Sequence, residues 1–123
     1  MGIIRNLRFE ISIRLCVELC SAENQPLFLY LPFQSVHSPL QAPEEYLQLY
    51  EEVEDEDRRT YLAMVTAMDD VVGNVTESLK EAGLYENSVI IWFSDNGGPL
   101  SFGASNFPLR GEKVGFHFKL FQN

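Results

Sequence analysis

Four residues that could do chemistry stand together at Asp95, Asn96, Gly97 and Gly98, directly after the apolar run 89–93, "VIIWF". The carboxylate and the amide both offer hard oxygen donors of the kind that Ca²⁺ or Mg²⁺ takes. The glycines let the backbone turn sharply and close in on a ligand. The same residues also spell a plain turn, because Asn-Gly favours a tight connection. A second group is His37, in the loop "PFQSVHSPLQAPEEY" beyond another apolar run, 27–31, "LFLYL". A histidine there is placed to meet a ligand or move a proton near neutral pH, and it reads equally as a surface turn residue. A third group is cationic: Arg110 and Lys113 lie in the loop "PLSFGASNFPLRGEKVGF", where a lysine is otherwise simply solvated.

These groups need elements to hold them. Runs 89–93 and 27–31 are wholly apolar and short, which suits strands covered on both faces, as in a parallel sheet. Pro26 and Pro32 bracket the earlier run, which suits a buried strand far better than a helix. In open α/β sheets, ligands collect beyond the carboxyl ends of such strands. A helix is expected over 57–82, where Tyr61, Met64, Val65, Met68, Val71, Val72, Val75 and Leu79 recur at helical spacing. Asp55 and Asp57 near its start and Lys80 near its end suit the helix dipole, and Gly83 suits its stop. The methionines read as core packing. Gly73 inside it costs about 1 kcal/mol against alanine, which points to a close packing contact.

A further helix is expected over 9–22, with Ile11, Leu15 and Leu19 as its apolar stripe, ended by Asn24, Gln25 and Pro26. A short one over 44–50 would start from Pro43 in its first turn. Helices alternating with buried runs give α/β organisation with a parallel pair.

The totals narrow the function. The chain has 123 residues, 46% of them hydrophobic, enough for one modest domain with a core. Its net charge of −9 argues against a general nucleic-acid or anionic-membrane surface. Much of the acid lies in 44–57, which reads as a solvated loop and helix start rather than a metal motif. Two cysteines, Cys16 and Cys20, make no disulfide scaffold and no zinc pattern, and read as free or half-buried thiols. No apolar run is long enough to span a membrane. The opening "MGIIRNLRFEISIR" is interrupted by Arg5, Arg8, Glu10 and Arg14, unlike a secretory leader, and Asn6 breaks the myristoylation pattern. Asn74-Val75-Thr76 is a glycosylation acceptor triplet, meaningful in a secretory compartment.

Three ordered segments resemble the sulfatase family, most closely its arylsulfatase B-like branch: "PLFLYLPFQSVHSPLQAPEEY", "YLAMVTAMDDVVGNVTESLKEAGLYENSVIIWFSDNGG" and "NFPLRGEK". The resemblance runs over about residues 25–113. It implies one partial sulfatase domain over 1–123, with a weakly matched helix in 1–24 and a divergent tail in 114–123. The implied fold is a piece of an alkaline-phosphatase-like α/β structure with parallel strands and packing helices. The implied activity is sulfate ester hydrolysis, assisted by Ca²⁺, on an aryl or sugar sulfate. By the same resemblance, Asp95 and Asn96 match the family's late pair of calcium ligands. His37, in an H-x-P context, and Lys113, after "PLRG", match residues that contact the sulfate. Kinship further implies a lysosomal or secreted protein, although no signal peptide precedes residue 25.

The family makes its formylglycine nucleophile from the cysteine of a C-x-P-S-R motif. Neither Cys16 nor Cys20 has that context, and the family's early Asp-Asp metal pair is also missing from these residues. Where the family continues into E-G-G-x-R, this sequence reads "VGFHFKLFQN". The expectation is therefore an internal fragment of an arylsulfatase-like enzyme, inactive alone, with weak ion binding and an apolar face prone to self-association. Two alternatives stay open: a non-catalytic binding module for a partner such as a full-length relative, and a phosphohydrolase of the same superfamily.

Overall fold

A computed structural model of the protein describes residues 13–113. Helix α1 covers 13–22, α2 covers Glu44–Leu47 and α3 covers Glu56–Glu81. Short 3-10 turns follow at Gln48–Tyr50, Tyr85–Asn87 and Leu100–Phe102.

Helix α3 is the organising element, and its ends follow from local chemistry. The Asp55 carboxylate accepts a hydrogen bond from the Arg58 N–H at 2.6 Å, which satisfies one of the free donors of the first turn. Glu56 and Asp57 add negative charge there, as the dipole favours. At the other end Gly83 takes φ 70°, and the N–H groups of Gly83 and Leu84 donate to the carbonyls of Lys80 and Leu79, each at 2.9 Å. That is the paired closing bond of a glycine-terminated helix. The expected stop at Gly83 holds. The expected packing contact at Gly73 does not: a Cβ built there meets nothing within 4 Å.

The core is small. Ile13 and Val17 of α1 pack with Leu79 of α3, flanked by Leu27, Leu29, Leu31, Val75, Ala82, Leu84 and Tyr85. Ala63 and Met64 are buried further along α3. On α1 the buried stripe is Ile13 and Val17, four apart on one face, while Leu15 and Leu19 are 53% and 60% exposed. The expected stripe of Ile11, Leu15 and Leu19 is therefore corrected in its described members; Ile11 and residues 9–12 lie outside the described residues. The physical reason is that α1 carries two apolar faces, and packing against α3 selected one. Ser21 Oγ donates to Ala82 O at 2.7 Å and locks the same helix pair. Arg14 spans the rim, 3.0 Å from Glu18 and 3.3 Å from Glu81. Its hydrogen bond to Glu18, then the charge of Glu81, holds its guanidinium above the ordinary arginine range.

The acidic run is solvated helix-start structure, as its composition indicates. Pro43 stands at the N-cap of α2, just outside the first turn, with Glu44 and Glu45 behind it. Two tyrosines fasten this segment to α3: Tyr46 donates to Asp70 at 2.7 Å, and Tyr50 pairs with Thr66 at 2.6 Å. Asn74 is exposed on α3, whereas Val75 packs on the core. Cys16 is exposed and Cys20 half-buried, both free thiols. No helix among the described residues is long and apolar enough to cross a membrane.

Neither apolar run carries a strand ladder among the described residues. Run 27–31 alternates, with Leu27, Leu29 and Leu31 against the core and Phe28 and Tyr30 outward at 92% and 71% exposure. That period of two is the signature of extended chain. Run 89–93 is exposed throughout, from Ile90 at 57% to Val89 at 89%. The expectation that it is covered on both faces is not met within the described residues, where Phe33 meets Trp92 but the run stays exposed along its length.

Candidate functional site

Beyond run 89–93 the chain turns at Asp95 and Asn96, both exposed. Ser94 Oγ donates to Asn96 O at 2.6 Å, and Asn96 Nδ2 donates to Gly97 O at 3.1 Å. The amide nitrogen of Asn96 is thus engaged locally, within a turn whose Asp95 and Asn96 side chains are exposed. These local hydrogen bonds make a turn of residues 94–97.

This turn is fastened to the loop that carries Lys113 through one residue, Asn106. Its Oδ1 accepts from Gly98 N at 2.8 Å, and its Nδ2 donates to Gly98 O at 2.7 Å and to Gly111 O at 2.9 Å. The side-chain amide pairs with Gly98 much as a neighbouring strand would, using both its donor and acceptor functions. Glu112 adds a second tie by accepting from Leu100 N at 3.0 Å. Close approach is a condition of this packing: a Cβ at Gly98 would stand 2.6 Å from Ala104 Cβ. The folded loop then docks on the start of α3. Gly103, at φ 76°, lies so near that a Cβ would stand 2.7 Å from Arg58 N and Cα, and Arg58 donates to Gly103 O at 2.6 Å.

The loop that carries His37 is held by separate contacts. Ser35 Oγ donates to Met64 O at 3.3 Å, which anchors its loop to α3. Phe33 packs against Trp92 at 5.8 Å between ring centroids, which sets the loop beside run 89–93. His37 itself is exposed, and its Nδ1 donates to Ser38 O at 2.8 Å. A carbonyl only accepts, so the proton sits on Nδ1 and Nε2 is the ring nitrogen left outward.

The structure therefore joins the Asp95–Asn96 turn to the Lys113 loop through Asn106, and the His37 loop to run 89–93 through Phe33. None of the four residues lines either of two concavities along α3. One, of about 340 Å³, lies between α1 and the end of α3; the other, of about 540 Å³, lies between α2 and the start of α3. The donor set at Asp95 and Asn96 fits Ca²⁺ in kind, since both supply hard oxygens, and falls short in number. Among the described residues no group of three His, Cys, Asp or Glu converges to hold a metal. Asn106, Gly103 and Glu112 escaped the reading of the residues. Asn106 and Glu112 lie inside the segment "NFPLRGEK", and the signal available for Asn106 was an asparagine in a Gly/Pro-rich loop, a residue type that satisfies backbone groups of turns.

Residues 13–118 match the sulfatase family. The chain belongs to the sulfatase family. This sulfatase chain is 52% identical over 89 residues to Arylsulfatase J of Mus musculus, a stretch covering 72% of this chain and 15% of that protein. It is 32% identical over 106 residues to the uncharacterized sulfatase YdeN of Escherichia coli strain K12, covering 81% of this chain and 18% of that one. It therefore spans less than a fifth of the length of these curated relatives. Among solved structures it superposes on Ps i-CgsB with a TM-score of 0.79 at 39% identity, over 85% of this chain and 23% of that one. On Ps i-CgsB in complex with k-i-k-neocarrahexaose the TM-score is 0.82 over 88% of this chain and 24% of that one. The fold is accordingly that of a sulfatase segment, and the match takes in α1 as well as the stretch from residue 25.

Proposed function

We propose that this chain carries the late part of a Ca²⁺-assisted site that hydrolyses sulfate esters. The observation that carries the reading is the triple hydrogen bond of Asn106, which makes the Asp95–Asn96 turn and the loop leading to Lys113 one unit. In this reading Asp95 supplies formal charge to the ion and Asn96 Oδ1 a neutral oxygen. When bound, the cation would stabilise negative charge on the sulfate oxygens. The Lys113 ammonium binds a sulfate oxygen and adds positive charge at the same place. His37 Nε2 either accepts a proton or, once protonated, donates to a sulfate oxygen, with Nδ1–H held by Ser38 O.

The remainder of the shell, the formylglycine nucleophile and the walls that exclude water have no counterpart in these residues, since no C-x-P-S-R occurs in them. Runs 27–31 and 89–93 are, in this reading, parallel strands of the alkaline-phosphatase-like sheet. The alternation of Leu27, Leu29 and Leu31 supports the first of these, and the likeness to Ps i-CgsB supports both. A sulfated sugar is the favoured substrate class, supported by the complex of that neighbour with a hexaose. A lysosomal or secreted location, with Asn74 as a glycosylation point, accords with the kinship to Arylsulfatase J.

The test uses terbium as a calcium probe. Trp92, the single tryptophan, lies three residues before Asp95 and would sensitise its emission. Saturable emission lost in Asp95→Ala and displaced by Ca²⁺, with no turnover of an aryl sulfate by the pure chain, is the expected result. Emission indifferent to Asp95→Ala overturns the metal assignment. Turnover abolished by Asp95→Ala overturns the expectation that the chain is inactive alone.

A further inference from the structure

We infer that Asn106 is a positioning residue, the side chain that bonds to both Gly98 and Gly111 and, with the Glu112 carboxylate on Leu100 N, sets the ion-binding turn at Asp95–Asn96 against the sulfate-binding loop that ends at Lys113. The inference rests on the reading of those two elements above, and its argument is geometric. Residues 94–98 and 109–113 share no helix or ladder that would fix their relation. The Asn106 amide bonds to both: Gly98 at N–H and C=O, and Gly111 at C=O, all within 2.9 Å. Asn106 is half-buried, so water competes less well for its two bonds to Gly98, while the bond to Gly111 is exposed.

The neighbours reinforce the point. A side chain at Gly97 would meet Asn106 Oδ1 at 3.4 Å and Glu112 Cα at 3.5 Å, so the turn sits directly on the amide and on the backbone one residue beyond Gly111. The adjacent Phe107 and Leu109 are 91% and 78% exposed and provide no comparable hold. The loop also rests on α3 through Gly103 and Arg58, which fixes the loop body, and Glu112 ties its end to Leu100 N, whereas Asn106 alone among these reaches Gly98. No other side chain of the described residues is seen to bond both Gly98 and Gly111. An isosteric change that removes one function separates the two bonded glycines: an aspartate at position 106 keeps the acceptor for Gly98 N–H and loses the donors to both carbonyls.

The experiment compares the full chain with Asn106→Ala, Asn106→Asp and Phe107→Ala. Three readouts are taken: amide exchange at Gly98, terbium emission sensitised by Trp92, and far-UV helix content. With helix content unchanged, Asn106→Ala is expected to speed Gly98 exchange by about tenfold and to weaken terbium binding severalfold, since one lost hydrogen bond is worth about that much. Asn106→Asp is expected to retain Gly98 protection better than Asn106→Ala, and Phe107→Ala to match the parent in all three. Gly98 exchange unaltered in Asn106→Ala overturns the inference, as does loss of helix content in that variant, which would make Asn106 a folding residue. If the parent itself binds no terbium, the metal assignment fails by that result alone, and Gly98 exchange still decides the role of Asn106.

Discussion

Phe33 and Trp92 meet with their ring centroids 5.8 Å apart and their planes tilted by 56°, 59 positions apart in the chain. This contact sets the His37 loop beside the run that leads to Asp95. Tilted rings at this distance attract through edge and face as well as through buried area. Trp92 is 59% exposed, so the coupling should fall near the low end of the range for aromatic pairs, about 0.5 kcal/mol. A double-mutant cycle with Phe33→Leu and Trp92→Leu, read by urea unfolding, should return a coupling of that size; additive single effects would show that the rings merely adjoin.

Gly103 is a position where backbone geometry forbids a side chain. It combines φ 76° with packing so close that a Cβ would stand 2.7 Å from the Arg58 backbone. Gly103→Ala should destabilise by about 1–3 kcal/mol, because the left-handed conformation is strained and the clash is with backbone that cannot rotate away. The Arg58 hydrogen bond to Gly103 O should be lost with it, visible as faster amide exchange through 99–106. An unchanged unfolding midpoint would contradict this.

Gly73 is the opposite case. It is exposed in the interior of α3, and no atom lies within 4 Å of a Cβ built there. Gly73→Ala should therefore stabilise the chain by about 1 kcal/mol, through the reduced freedom of the unfolded chain and the better helix propensity of alanine. A higher thermal midpoint is the expected reading, and a lower one would reveal a contact that the described residues do not contain.

Leu79 is 8% exposed and packs between Ile13 and Val17 in the small α1–α3 core. Truncation to alanine removes buried methylenes and leaves a cavity, at a cost of about 3 kcal/mol. In a core this small that is a large share of the total stability. Leu79→Ala should show markedly reduced helix content near neutral pH at room temperature, while Leu15→Ala, at a residue 53% exposed, should leave it almost unchanged.

The run 89–93 presents Val89, Ile91 and Phe93 at 89%, 75% and 73% exposure, a continuous apolar surface. Such a surface drives association. The chain should sediment as a mixture of monomer and larger species, and Ile91→Lys should shift it toward monomer by placing a charge on the run. A monodisperse parent with a sharp unfolding transition would contradict the expectation.

Which parts of this were legible in the residues follows from the range of the forces involved. Helix α3 was, with its acidic start, its stop at Gly83 and Met64 and Leu79 facing inward, because caps, dipole and 3.6-residue spacing act within a few residues. Its first turn begins at Glu56, one position before the expected 57. The family resemblance was legible too, since it lies in ordered segments of side-chain identity. The face that α1 buries was not. Both Ile13–Val17 and Leu15–Leu19 recur at helical spacing, and the choice was made by Leu79 and run 27–31, which come from elsewhere in the chain. The Gly73 contact failed for a related reason: a helical glycine signals close packing only if a neighbour arrives, and none does among the described residues.

The sequence by itself determined the helices and the types of group available: oxygens at Asp95 and Asn96, an imidazole at His37, an ammonium at Lys113 and a strong central helix. The tertiary structure decided how they are joined. Asn106 reaches eight residues back to Gly98 and five forward to Gly111, and Gly103 docks on Arg58 across 45 positions. Hydrogen bonds of this kind depend on two backbone segments arriving at the same place with the right orientation. That condition is set by the folding of the whole loop onto α3 and leaves no periodic trace in the order of the residues.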